Sequence, residues 1–142
     1  MIEINTPVQR FFQTFSELSG SGDISTILVQ FADPFLAAGP QGTKCVRAAD
    51  FAAALPKRKE FFDSLGCRSA SLVSVEEIPL DARYVLAKTR WRMDLAREDG
   101  EQSIFGDTTY LVDAGQKEFK ILLYLSNHDF MRELKERGIL HP

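Results

Sequence analysis

The sequence predicts an α+β fold: a curved antiparallel sheet with three N-terminal helices packed on one face, and a short C-terminal helix. Three observations predict it. Apolar residues recur at helical spacing up to about residue 65 and at alternate positions from Cys67 onward. Turn signals built from Gly, Pro and Asp separate the later segments. Helical stretches come first and strands second, the order of a segregated rather than an alternating chain. The length of 142 residues fits one domain, 1–142, with one core.

Asn5-Thr6-Pro7 is a helix start, a capping side chain followed by a proline whose missing N–H is harmless in the first turn. Val8, Phe11, Phe12, Phe15 and Leu18 form one apolar stripe, and Ser19-Gly20-Ser21-Gly22 ends it. Asp23 can cap a second helix with the stripe Ile24, Ile27, Leu28 and Phe31. That helix is expected to stop near Asp33, because Pro34 disfavours helical geometry in the residue before it. Residues 34–46 read as short extended pieces around the turn Gly39-Pro40-Gln41-Gly42. A third helix is expected from about Ala48 to Leu65, with Phe51, Leu55, Phe62 and Leu65 on one side, a kink or break at Pro56, and Gly66 as terminator.

Residues 67–78 form a first strand, and Pro79-Leu80-Asp81 turns the chain. In residues 83–98, Val85, Ala87, Thr89, Trp91, Met93 and Leu95 alternate with Tyr84, Leu86, Lys88, Arg90, Arg92 and Asp94, so one face is buried and the other mostly charged. Asp99-Gly100 is a hairpin signal. Residues 101–113 return, Asp113-Ala114-Gly115 turns again, and residues 117–126 form the last strand. There Phe119, Ile121, Leu123 and Leu125 share one face, but Leu122 and Tyr124 make the other face apolar too. A strand apolar on both faces is covered on both, by a helix or by another subunit. After Ser126 the tail reads as a short helix, with Ser126 and Asp129 at capping-box spacing and Gly138 as its stop.

Composition excludes several classes of function. The net charge is −3 and no run of Lys or Arg exceeds the KRK at 57–59, a solvated helix face, so nucleic acid is not an expected partner. Cys45 and Cys67 form no CxxC pair and have no His cluster beside them, so both read as reduced thiols and no metal is implied. No motif implies a cofactor: Gly39-Pro40-Gln41-Gly42 lacks the glycine and lysine pattern of a phosphate loop. The start, MIEINTPVQRFF, lacks the pattern of a signal peptide, and no apolar run reaches the ~20 residues of a membrane span. No membrane partner is expected, and the expected compartment is the cytoplasm.

Taken together, two N-terminal helices leading into "FADPF", a further helix, long strands with Trp91 in "KTRWRMDL", and a last strand "KEFKILLYLSNHD" ending in an acid and a short helix resemble the nuclear-transport-factor-2-like superfamily. This is the cone fold shared by the SnoaL-like cyclases and the ketosteroid isomerases. The resemblance covers essentially the whole chain. It implies a cavity between sheet and helices, homodimers built through the outer face of the sheet, and a function that varies among isomerases, dehydratases, cyclases, epoxide hydrolases and non-catalytic binding domains.

Asp33 stands where the resemblance implies that the second helix meets the first strand at the cavity. Burial among Phe31 and Phe35 would raise its pKa and suit it to act as a general base; the alternative is a helix-end acid bonded to local backbone. Trp91, in phase with Thr89 and Met93, is either a cavity wall with a free indole N–H or a core residue. Tyr110 and Thr108 share one face of their strand, Asp107 and Thr109 the other. Gly106 can shift the phase, but the Tyr110 face is preferred inward, where its hydroxyl can donate to a carbonyl. Phe12, Phe15, Phe35, Phe51 and Asn127 complete the expected ligand contacts. His128 is read as a solvent histidine beside a helix cap and His141 as terminal, with no nucleophile at triad spacing to either.

Two functions follow. One is a small-molecule-binding domain with an apolar cavity, whose unknown apolar ligand undergoes isomerase-, dehydratase- or cyclase-type proton transfer with Asp33 as base. The other is a non-catalytic homodimeric ligand-binding or protein-interaction module, favoured by the two-sided last strand and by the lack of a clear second acid or base.

Overall fold

The computed structural model describes residues 6–21, 24–98 and 100–139. The expected caps Asn5 and Asp23, the hairpin residue Asp99 and His141 lie outside them. The order is α1 (Pro7–Ser21), α2 (Ile24–Leu28), β1 (Phe31–Gly39), β2 (Gly42–Val46), α3 (Ala48–Ser64), β3 (Cys67–Pro79), β4 (Tyr84–Arg97), β5 (Gly100–Asp113), β6 (Lys120–Ser126) and α4 (Phe130–Glu136). The strands form one curved, unclosed sheet in the order β2-β1-β6-β5-β4-β3. Its pairings are antiparallel except for β1 with β6, which run parallel.

Local sequence explains most boundaries. Thr6 caps α1, its Oγ1 accepting from Gln9 N at 3.1 Å. Gly66 adopts φ 81° after α3, and Gly138 adopts φ 73° after α4. Asp129 caps α4 by accepting from Arg132 N at 3.1 Å, while Ser126 donates instead to the His128 carbonyl at 3.2 Å, so no capping box forms.

Three expectations need correction. The second helix ends at Leu28, and Phe31 already belongs to β1. Pro34 is tolerated inside that strand because β1 pairs with β2 only from Phe35 onward and its register with β6 shifts between Phe31 and Leu36. Of the kink or break expected at Pro56 the break does not occur, since α3 continues through it at the loss of one backbone hydrogen bond on an exposed face. In β6, Leu123 pairs with Leu111 but Ile121 pairs with Val112, leaving Leu122 as an extra residue. This bulge reverses the phase of the strand. Ile121 and Tyr124 face the helices, and Leu123 and Leu125 face outward.

The inner face divides into two cores. The larger gathers Phe12, Phe31, Phe35, Ala87, Tyr110 and Ile121 beneath α1 and α2. The smaller gathers Leu65, Leu95, Ile104, Leu134 and Ile139 beneath α4 and the end of α3. On the outer face, strand pairing lines up Cys45, Leu36, Leu123, Leu111, Leu86 and Ile78 across all six strands. Among the described residues no helix is long and apolar enough to cross a membrane.

Candidate functional site

The inner face of the cone is packed with rings. Phe12 lies 4.9 Å from Tyr110, Phe15 lies 5.7 Å from Phe31 and 6.1 Å from Trp91, and Phe35 lies 5.0 Å from Phe51. The chain of contacts continues from Phe35 to Tyr124 at 6.1 Å and from Tyr124 to Tyr110 at 6.3 Å. These are the separations of tilted and edge-to-face packing between neighbouring rings. Phe12, Phe15, Phe35, Phe51, Thr89, Trp91, Thr108 and Tyr110 are thus gathered on one face, as the alternation predicts. Phe31 and Tyr124 join them. Tyr124 escapes a reading by simple alternation because the bulge at Leu122 sets its direction.

Polar groups on this face are mostly spent on each other. Thr89 is 2% exposed; its Oγ1 donates to the Thr108 carbonyl at 2.7 Å and accepts from Trp91 Nε1 at 2.8 Å. The indole N–H of Trp91 is therefore held by the protein, which fits the core alternative and not the one with a free N–H. Like Tyr124, Tyr110 is an exception among the described residues. It is 7% exposed, and its hydroxyl has no hydrogen-bond partner among the described residues. Burial raises its pKa well above the ordinary tyrosine value, with the Arg58 charge opposing the shift and Tyr124 adding to it. The group is a neutral donor, on the same face as Arg58's field.

Asp33 does not join this group. Its side chain is exposed, and Oδ1 accepts from Ala48 N at 3.0 Å. Arg47, at the N-cap position of α3, makes no side-chain cap, so Asp33 supplies from 15 residues away the acceptor that Arg47 lacks. Its negative charge also meets the positive end of the helix. The acid is a helix cap, but for the helix that follows rather than for the one before.

Two more expected contacts lie elsewhere. Met93 packs in the smaller core. Asn127 is exposed, and its Oδ1 accepts from Thr109 Oγ1 at 3.3 Å on the outer side. Asp107 also points outward, 3.6 Å from Arg90. His128 is half-buried rather than solvated. Its Nε2 lies 2.8 Å from Glu133 Oε1 without forming an aligned hydrogen bond. Both cysteines are free, Cys45 exposed and Cys67 half-buried, and burial raises the Cys67 thiol pKa. Among the described residues no cluster of three or more His, Cys, Asp or Glu is gathered to hold a metal.

The architecture has a counterpart in a known family. Residues 2–129 match the family described as NTF2-like protein (DUF6841). The chain belongs to that NTF2-like family. Similar solved structures extend the likeness at low identity. The beta subunit of benzoate 1,2-dioxygenase from Burkholderia mallei superposes with a TM-score of 0.68 at 18% identity, covering 89% of this chain and 92% of that one. A protein from Xanthomonas campestris, provisionally assigned as a calcium/calmodulin dependent protein kinase II association domain, gives 0.64 at 11% identity, covering 89% and 94%. A protein from Novosphingobium aromaticivorans, provisionally assigned as a scytalone dehydratase, gives 0.64 at 9% identity, covering 84% and 79%. At these identities the likeness is one of fold. No curated protein matches the chain in sequence.

Proposed function

We propose that this NTF2-like chain is a non-catalytic, homodimeric interaction module that self-associates through the outer face of its sheet. One observation carries the reading: the line of Leu36, Leu123, Leu111 and Leu86 on the face opposite the two cores, which no described helix covers. Leu36 is 41% exposed and Leu125, on the next row, 39%. Contiguous apolar surface of this kind marks an association site. The inner face supports the same reading, because rings pack against one another across it and Asp33, the expected base, lies outside it at a helix end. The neighbours include a dioxygenase beta subunit and an association domain, parts of larger assemblies by name.

The test is a double variant, Leu36→Lys with Leu125→Lys. Both side chains are exposed in the single chain, so folding is preserved. Buried in a dimer, two unpaired charges weaken association by at least about a hundredfold. A dimer that survives both changes refutes the assigned face.

A second reading rests on Tyr110. Its unengaged hydroxyl suits a cone ligand that bears a carbonyl, bound among Phe12, Phe15 and Trp91. A thermal-shift screen of apolar ketones against wild type and Tyr110→Phe tests it; ligands that stabilise both forms equally refute the role of the hydroxyl.

A further inference from the structure

A second cleft has a different chemistry from the cone. Where the start of α1 meets the turn between β5 and β6, a cleft of about 380 Å³ opens to solvent, lined by Thr6, Pro7, Arg10, Lys117 and Phe119. That volume is in the range of small-ligand sites. Two cations reach it from different elements, Arg10 from the second turn of α1 and Lys117 from the turn. Among the described residues no carboxylate lines it, Glu77 standing behind the Thr6 hydroxyl, and neither cation forms an ion pair. By contrast Lys120, a strand residue close by, is already paired with Glu118 at 4.0 Å.

The remaining walls complete the site. The Phe119 ring is held against Phe11 at 5.9 Å, and the Pro7 ring adds a second apolar surface. The Thr6 hydroxyl is satisfied, accepting from Gln9 N and donating to Glu77 Oε1 at 2.7 Å, so it does not draw a ligand head group away from the cations. Helix α1 carries no acidic residue in its first turn, so its positive end adds to the same potential. Unspent positive charge above an apolar floor selects a ligand with an anionic head and an apolar body.

We propose that this cleft binds a small aromatic carboxylate, its ring between Pro7 and Phe119 and its carboxylate on Arg10 and Lys117. The cleft lies at the edge of the larger core, which Phe119 touches through Phe11, and the proposal does not rest on the dimer. The experiment is an amide chemical-shift titration of the full chain with phenylacetate. Controls are 2-phenylethanol, which lacks the charge, and acetate, which lacks the ring. Saturable shifts at Gln9, Arg10, Lys117 and Phe119 are expected, weakening as salt screens the cations. The double variant Arg10→Gln with Lys117→Gln changes two exposed side chains and is expected to bind about tenfold more weakly or worse. Four results overturn the proposal: no saturable shift, shifts centred on Tyr110 and Trp91, equal binding of 2-phenylethanol, or unchanged affinity in the double variant.

Discussion

Replacing Thr89 by Val tests whether the inner face is closed by its own hydrogen bonds. Valine keeps the shape and the strand preference of threonine and removes only the hydroxyl. In the wild type that oxygen joins the Trp91 N–H to the Thr108 carbonyl through contacts of 2.8 Å and 2.7 Å, at a residue 2% exposed. Each neutral hydrogen bond contributes about 1 kcal/mol net, so losing both removes roughly 2 kcal/mol. The Trp91 N–H then lacks a partner beside the Phe15 ring, which keeps the loss near that value even after relaxation.

Trp91 is the single tryptophan, so its emission reports unfolding and local environment together. Urea titrations of wild type and Thr89→Val at one protein concentration are expected to share a slope and differ in midpoint by about 2 kcal/mol of stability. The folded emission of the variant shifts as the indole loses its acceptor. A companion pair, Trp91→Phe with and without Thr89→Val, read by circular dichroism, isolates the Thr89–Trp91 interaction. A loss below about 0.5 kcal/mol with unchanged emission would refute the reasoning. It would mean that the hydroxyl is replaceable by water and that the inner face is open.

Asp33→Ala is expected to cost about 1 kcal/mol, and Asp33→Asn about half as much, because the amide still accepts from Ala48 but leaves the helix end uncharged; thermal denaturation measures both, and no change in either contradicts the cap. Asp113 is 3% exposed and takes both Arg83 Nε and Nη2 at 2.9 Å, and these bonds, with Gln116 and Gly115 assisting, hold its pKa well below the usual carboxylate value. Below about pH 3.9 the unfolded chain takes up that proton first, so the contribution present above this pH is lost as pH falls, by at most about 1.4 kcal/mol per pH unit. Asp113→Asn flattens the acid limb of a stability-against-pH curve; an unchanged limb contradicts the assignment. Leu134→Ala, at a site fully buried between α4 and the sheet, is expected to cost about 3 kcal/mol in urea denaturation, and a loss below about 1 kcal/mol would show that α4 is not part of the core.

The sequence was legible where local pattern and tertiary environment agree. The alternation through β4 placed Ala87, Thr89, Trp91 and Leu95 inward because that strand is straight in register with β5 from end to end. The same logic failed in β6, where one extra residue turns Leu123 and Leu125 outward, and nothing in "KILLYLS" marks the bulge. Phe31 fits the helical spacing of Ile24, Ile27 and Leu28, yet belongs to β1 because pairing with Ile121 overrides the local pattern. The rings of the candidate site were readable as an inward group. The role of Asp33 was not, since its partner Ala48 is remote in sequence and a non-local cap has no local signature.

Sedimentation velocity on the wild-type chain across the micromolar range tests the proposed self-association most directly. A single boundary at the dimer mass, unchanged with dilution and converted to monomer by Leu36→Lys with Leu125→Lys, is the predicted result. A wild-type monomer throughout that range, with the outer leucine row exposed to solvent, would contradict it.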